Sequence, residues 1–426
     1  MSAIPAKAPS IMATGRSQLI AALDLGSSKV VCFIARVMGD DTVRVVGIGH
    51  QLSRGVKAGA VVDMERAEES VRAAVEAAER MAGETVREVH VAMSAGRPAS
   101  HTVGVEVAVA GHAIGDQDLR RVLRQGRPEE DDPEREVLHS LPLGFTIDGS
   151  SGVRDPRGMF GARLGVDINV VTVASGPLRN LTLCVERGHL QTASVSLAPY
   201  ASGLSCLVED EMRLGVTVID MGAGTTTMAV FKDGEMVFAD SLPLGGRHVT
   251  NDVARGLATP TVHAERLKTL FASVIPSPSD DRDTIDVPIV GESDEGATAQ
   301  VSRSMLVGIV RPRIEETLEL VRDRLHASGV ARSAGRRVVL TGGASQLQGI
   351  RELGARVLDK QVRLGRPIRV GGLAESTGGP AFSTCAGLLS LAVRRQLPVL
   401  EDVIANEPAM AGGAISRIGR WLATNF

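Results

Sequence analysis

Two stretches far apart in the chain follow one plan, and that repeat limits the fold more than any other feature. In the first, the apolar run from Leu19 reaches Asp24, passes Leu25-Gly26-Ser27-Ser28-Lys29, and returns as Val30-Val31-Cys32-Phe33-Ile34. In the second, Val216-Thr217-Val218-Ile219 reaches Asp220, passes Met221-Gly222-Ala223-Gly224-Thr225-Thr226-Thr227, and returns as Met228-Ala229-Val230-Phe231. Each reads as a β-hairpin: a β-rich strand ending in Asp, a Gly-bearing turn, and a β-rich return. Further runs, Val43 to Ile48 and Met236 to Ala239, predict a third strand for each. The plan is the same twice, and an internal repeat of this kind outweighs either copy alone.

The residue types at the turns suit phosphate. Glycine lets backbone N–H groups approach an anion closely, and Ser and Thr hydroxyls add donors, so each turn is a small anion nest. An Asp beside each turn would repel bare phosphate. It fits a hydrated Mg²⁺, which keeps several waters and takes few carboxylates. Asp24 and Asp220 are therefore the candidate metal-facing residues, acting through water. Read singly, either hairpin is a turn whose Asp and Gly satisfy local backbone. Together they predict a clamp on one Mg-nucleotide. A P-loop is absent, and after Gly222-Ala223-Gly224 the third glycine of a dinucleotide fingerprint is replaced by Thr227.

Two more segments belong with the hairpins, and two helices can be placed. Val338-Val339-Leu340-Thr341-Gly342-Gly343-Ala344-Ser345 reads as a buried strand opening into a glycine pair that can lie flat on a planar ligand. A helix is expected over 347–357. Glu265 and Lys268 share a helix face; on their own they read as a solvated surface pair. Another helix is predicted over 65–81, with Ala67, Val71, Ala74, Val75 and Ala78 on one stripe.

At 426 residues the chain is long enough for two or more domains sharing a cleft. The 47 Lys and Arg against 50 Asp and Glu leave a net charge of -3, and aromatics are only 2%, so nucleic acid is not an expected partner. Cys32, Cys184, Cys206 and Cys385 have no metal or redox spacing and read as buried small hydrophobes in a reducing compartment. Residues 1–18 read as a flexible leader, and nothing approaches the run of about twenty apolar residues that a spanning helix needs.

The C-terminal end has a pattern of its own. After 381–393, read as the last packed helix, Leu397-Pro398, Glu407-Pro408 and Gly412-Gly413 make a linker. In the final thirteen residues, at about 100° per residue, Ile415, Ile418, Leu422 and Phe426 share an arc of roughly 80°. Arg417, Arg420 and Thr424 lie opposite, and Trp421, the sole Trp, sits at the boundary. Such a helix suits either the protein's own core or the headgroup plane of an anionic membrane, and the Gly-Gly linker and the Trp favour the membrane. A short helix binds weakly, so stable attachment would draw on many linked copies.

The order Asp-Leu-Gly-Ser-Ser-Lys, Asp-Met-Gly-Ala-Gly-Thr, Glu-x-x-Lys and Thr-Gly-Gly-Ala-Ser resembles the superfamily of actin, DnaK-like chaperones and sugar kinases. Ser53-Arg54-Gly55-Val56-Lys57-Ala58-Gly59, Ala264-Glu265-Arg266-Leu267-Lys268 and Ile285-Asp286-Val287-Pro288 look like the FtsA cell-division family within it, over nearly the whole chain from about Leu19. That resemblance implies an actin-like (ribonuclease H-like) two-domain α/β fold with a central nucleotide cleft and an FtsA-type inserted subdomain. It divides the chain into a first domain (19–100, 177–215, 375–396), its insert (101–176), a second domain (216–256, 334–374) and its subdomain (257–333). Linker 397–413 and amphipathic helix 414–426 follow. Strands are expected over 103–110 and 166–174, with an acidic, Pro-broken stretch at 127–136 between them.

The resemblance further implies ATP and Mg²⁺ as ligands. Asp24, Gly26, Ser27, Ser28 and Lys29 form the first phosphate loop, and Asp220, Gly222, Ala223, Gly224, Thr225 and Thr226 the second. Gly245 and Gly246 open a helix over the nucleotide, Glu265 and Lys268 border ribose and adenine, and Gly342, Gly343 and Ala344 face the adenosine. The implied partners are the C-terminal tail of FtsZ, received near Arg303, Met305 and Arg311; other copies of the chain in a filament; other division proteins; and the inner membrane. The expected location is its cytoplasmic face at the division septum. Runs 280–286 and 291–297 read as exposed loops. No catalytic base is evident in Leu197-Ala198-Pro199-Tyr200-Ala201-Ser202-Gly203, so the expectation is a weak ATPase at most. A sugar or small-molecule kinase of the superfamily and an MreB- or PilM-like scaffold are the alternatives.

Overall fold

The computed structural model describes residues 18–38, 42–126, 132–290 and 298–394. Both hairpins form, and each is the nucleus of a sheet. In the first half, strands Leu19–Leu25, Lys29–Val37 and Val43–Leu52 make an antiparallel meander. Strands Glu88–Met93 and Gln191–Leu197 extend it in parallel from Leu19–Leu25, and Val370–Gly371 pairs at the other edge. In the second half, Val216–Met221, Thr226–Lys232 and Glu235–Leu242 repeat the meander, and Arg337–Thr341 and Gln361–Leu364 repeat the parallel extension. Apart from the Val370–Gly371 edge, the strand order is the same in both sheets. The repeat in the sequence is thus a repeat of entire sheets.

Burial explains the strand composition. All six residues of Val216–Met221 are buried, as is every residue of Thr226–Lys232 except Lys232, which fits a sheet covered on both faces. On the first sheet, helix Met64–Ala82 turns its Ala67, Val71, Ala74, Val75 and Ala78 stripe inward. Asp63 caps it by accepting from Arg66 N–H at 3.2 Å, and Gly83 ends it in the left-handed region. The opposite face takes helix Ser383–Val393, whose Cys385, Ala386, Leu388 and Leu389 join Val31, Phe33 and Ala35 in one cluster.

Between Glu88–Met93 and Gln191–Leu197 lies a four-stranded antiparallel sheet in the order Ala99–Ala108, Arg163–Ala174, Arg135–Ile147, Ser150–Val153. Helix Asp116–Gln125 covers it with Leu119, Val122 and Leu123, so the insert has its own core. Asn169, fully buried, donates from Nδ2 to the Met236 carbonyl at 2.7 Å and ties the insert to the second half.

Three local expectations need correction. The stretch 127–136 is not all irregular: residues 127–131 lie outside the described residues, but a strand starts at Arg135. The helix expected over 347–357 begins at Ile350, because a 3₁₀ turn, Gly343–Gln346, and Gly349 at φ +81° precede it. The run 280–286 is exposed at five of its seven positions, as expected, but it is not all loop. Asp280 is 2% exposed and accepts from Ser277 N–H at 2.6 Å, and Thr284–Pro288 pairs with Thr298–Ser302. Residues 291–297, the 1–17 part of the leader, the linker and the 414–426 helix lie outside the described residues. Among the described residues no helix is long and apolar enough to cross a membrane.

Candidate functional site

The two turns are built alike to the residue. In the first, Asp24 stands opposite Val31 and Gly26 N–H donates to the Lys29 carbonyl at 3.1 Å. In the second, Asp220 stands opposite Thr227 and Gly222 N–H donates to the Thr225 carbonyl at 2.9 Å. The turns face each other. A Cβ on Gly224 would stand 2.3 Å from Ser27 Oγ, so glycine there lets the two halves touch. Ser27 Oγ accepts from Gly59 N–H at 2.9 Å, Ser28 O accepts from Ser53 N–H at 2.9 Å, and the Arg247 guanidinium donates to the Ser27 carbonyl. The Ser53–Gly59 stretch singled out from sequence therefore lies against the first turn.

The carboxylates feel one another across this junction. Asp24 is pushed up to about 7, first by burial, then by the Asp220 charge, with Lys29 opposing. Asp220 is raised by burial, while hydrogen bonds from Ser202 and Thr384 and the Lys29 charge pull it back. Ser202 Oγ donates to Asp220 Oδ2 at 2.5 Å and Thr384 Oγ1 to the same oxygen at 2.8 Å. Lys29 is lowered by burial, against the charges of Asp24, Cys385 and Asp220, and its Nζ sits 3.4 Å over the Phe382 ring. Two buried carboxylates, Asp24 raised further by the Asp220 charge, with one cation beside them, favour a further positive charge.

The second half adds two walls. Gly246 N–H and Arg247 N–H donate to the Gly222 and Ala223 carbonyls at 2.9 and 2.8 Å, so helix Gly246–Gly256 starts at the second turn, as expected, behind Gly245. Lys268 is 9% exposed rather than solvated. Its Nζ donates to Gly246 O (3.2 Å), Thr250 Oγ1 (2.9 Å) and Glu265 Oε2 (2.7 Å), pinning helix Thr261–Phe271 to that N-terminus. Glu265 itself is exposed. After strand Arg337–Thr341, Gly342 has φ +84°, and a Cβ there would stand 2.3 Å from Asp220 Oδ1, so only glycine fits. Gly343 is exposed and Ala344 is half-buried against Gly246.

The structure thus gathers Asp24, Gly26, Ser27, Ser28 and Lys29 with Asp220 and residues 222–226, Gly245, Gly246, Lys268, Gly342 and Ala344 around one junction. Arg303, Met305 and Arg311 lie elsewhere, on the first turns of helix Arg303–Ala327. Arg303 already has partners: Asp280 at 3.6 Å, the Phe271 carbonyl and Gln348 Oε1. Met305 is 50% exposed, and Arg311 pairs with Glu315 at 3.5 Å. Sequence reasoning missed Ser202, Thr384, Phe382 and Arg247 at the cleft, and Leu270 and Phe271, exposed beside Arg303. Nothing in a linear pattern ties Ser202 or Thr384 to Asp220; only the packing of two helices does.

The family model for the cell division protein FtsA matches residues 217–387, and that for the SHS2 domain inserted in FtsA matches residues 95–172. Curated cell division proteins FtsA are similar over nearly their whole length. That of Agrobacterium fabrum is 45% identical over 97% of this chain and 96% of its own, and that of Escherichia coli K12 is 30% identical over 98% and 100%. Among solved structures, the PilM-PilN type IV pilus biogenesis complex aligns with a TM-score of 0.60 at 16% identity, covering 88% of this chain and 99% of that one. MreB5 of Spiroplasma citri bound to ADP aligns at 0.52 and 14%, covering 92% and 99%. At those identities the two structures speak to the fold alone, which is actin-like with an inserted subdomain. The near-full-length relatives decide among its members: this chain belongs to the FtsA family of cell division proteins.

Proposed function

We propose that the chain binds Mg-ATP at the junction of its two halves and serves as an ATP-dependent scaffold of the division septum. The observation that carries this reading is the matched pair of turns meeting at Ser27 and Gly224, with Asp220 close enough for its charge to raise Asp24. Asp24 and Asp220 would face the Mg²⁺ through its waters. Among the described residues no group of three or more metal-type side chains converges, which suits an ion that takes its other ligands from water and phosphate. Amides of the two turns would cradle the phosphates beside the positive end of the helix beginning at Gly246, and Gly342, Gly343 and Ala344 would lie against the adenosine. Magnesium supplies charge neutralisation of the polyphosphate there. The helix Ala198–Cys206 offers the cleft a serine hydroxyl and no carboxylate, so nucleotide acts mainly as a conformational and polymerisation ligand.

The acidic, apolar C-terminal tail of FtsZ would dock beside Met305, Leu270 and Phe271, on a wall that Arg303 holds in place, with Arg311 about two turns further on. Residues 414–426 would attach the chain to the cytoplasmic face of the inner membrane, with Ile415, Ile418, Leu422 and Phe426 in the acyl boundary, Trp421 at its edge, and Arg417 and Arg420 on anionic headgroups. Self-assembly would multiply these weak anchors. Two measurements test the reading. Calorimetric titration with Mg-ATP should show binding that Asp24→Asn and Asp220→Asn each weaken at least tenfold; no binding by the unaltered chain sinks the nucleotide site. Sedimentation with anionic liposomes should be lost on deleting 415–426; unchanged sedimentation removes the anchor.

A further inference from the structure

The two helices that reach Asp220 are locked together along their length and meet again at their far ends. Ala198–Cys206 and Ser383–Val393 run past each other so closely that a Cβ on Gly387 would stand 1.7 Å from the Ala201 carbonyl oxygen. At the cleft end, the Ser202 and Thr384 hydroxyls lie 2.9 Å apart on one Asp220 oxygen, and Ser205 Oγ donates to the Ser383 carbonyl at 2.7 Å. At the other end, Arg394 donates from Nη1 to Tyr200 Oη at 3.0 Å and from Nη2 to Glu235 Oε1 at 2.6 Å. Tyr200 is 3% exposed and stacks on Phe231 of the second hairpin, and Glu235 opens the strand that follows it. This clasp therefore joins a first-half helix, the last described helix and the second half. Residues 395–426 leave from it.

We propose that this helix pair couples the cleft to the origin of the C-terminal segment, with Ser202 and Thr384 as positioning residues for Asp220 and Tyr200–Arg394–Glu235 as the output. The physical reason is stiffness on one side and room on the other. Helices in contact at Gly387 cannot slide independently, so a change at Asp220 displaces both. Beside the clasp, a cavity of about 710 Å³ bounded by Leu141, Phe145, Leu204 and Val393 lets that end shift without expelling packed side chains.

The proposal rests on the nucleotide reading, and hydrogen exchange on the full chain separates the two. Mg-ATP is expected to slow exchange of amides 391–394 about tenfold, within the usual range for coupled sites. Tyr200→Phe, which removes one hydroxyl, should abolish that protection while leaving helix Met64–Ala82 protected as before. Its Mg-ATP affinity should fall by no more than the same factor, because coupling is reciprocal. Arg394→Lys, which keeps the charge but loses the fork, should fall between. Mg-ATP binding with no change at 391–394, or full protection retained in Tyr200→Phe, overturns the coupling and leaves the nucleotide site standing. No Mg-ATP binding by the unaltered chain overturns both.

Discussion

Acidification should loosen the joint between the insert and the cleft helix through a single imidazole. His139, on the Arg135–Ile147 strand, is held down to about 4 by burial. Its Nε2 accepts from Leu197 N–H at 3.0 Å, and its ring meets Tyr200 edge-on at 5.2 Å. Protonation would turn that acceptor into a donor facing another donor. The ordinary imidazole value is 6.5, so the unfolded chain takes up the proton first and stability is lost as pH falls from about 6.5 towards 4. Between pH 7.5 and pH 5 linkage gives about 2 kcal/mol, an upper figure because the ring keeps some exposure. The assay is urea unfolding of the wild type and of His139→Gln at both pH values. Gln can still accept from Leu197 N–H but does not titrate, so the variant should lack this part of the pH dependence. Equal pH dependence in the two chains would refute the argument.

Other outcomes follow from the cleft. With Asp24 raised to about 7 in the absence of metal, a proton competes with Mg²⁺, so Mg-ATP affinity should drop about tenfold from pH 8 to pH 6, and Asp24→Asn should flatten that profile from a weaker starting value. Gly342→Ala would drive a methyl into Asp220 Oδ1; calorimetry should show Mg-ATP binding lost by at least tenfold, with far-UV circular dichroism unchanged. Lys268→Met strips three acceptors of their buried donor, which should cost about 1–3 kcal/mol in urea unfolding as well as weakening ATP.

The hairpins were legible because strand period, the terminal Asp and the turn glycines all point the same way, and even their common register follows from the equal spacing of Asp and Gly. Helix Met64–Ala82 was legible from its apolar stripe alone, to within a residue at each end. The strand Arg135–Ile147 was not. Pro142 argues against a strand between two others, and it is tolerated because the register shifts between Asp167 and Ile168, the residue opposite it. Lys268 and Asp280 were read as solvated because charge predicts exposure on average; Lys268 is buried against Thr250 of another helix, and Asp280 accepts from Ser277 N–H in its own turn and pairs with Arg303 at 3.6 Å. The hydroxyls on Asp220 come from helices at opposite ends of the sequence, a meeting that no local pattern encodes.

The two halves are alike in backbone but not in charge, and the difference bears on the order in which ligands bind. The first turn carries its cation as a side chain, Lys29, held over Phe382. The second carries none; its positive field comes from the N-terminus of helix Gly246–Gly256, whose amides bond the turn's own carbonyls. Against these stand two buried carboxylates, Asp24 raised further by the charge of Asp220. ATP alone would bring more negative charge to a place where burial and the Asp220 charge already push Asp24 up to about 7, whereas with Mg²⁺ bound Asp24 and Asp220 would hold the ion through its waters and its charge would offset that of the phosphate. Affinity should therefore rest on magnesium more than in a site built around a lysine and a glycine-rich loop. Titration of ATP in excess chelator should show binding weaker by at least a hundredfold than with Mg²⁺, and comparable affinities would mean that the carboxylates face away from the phosphates.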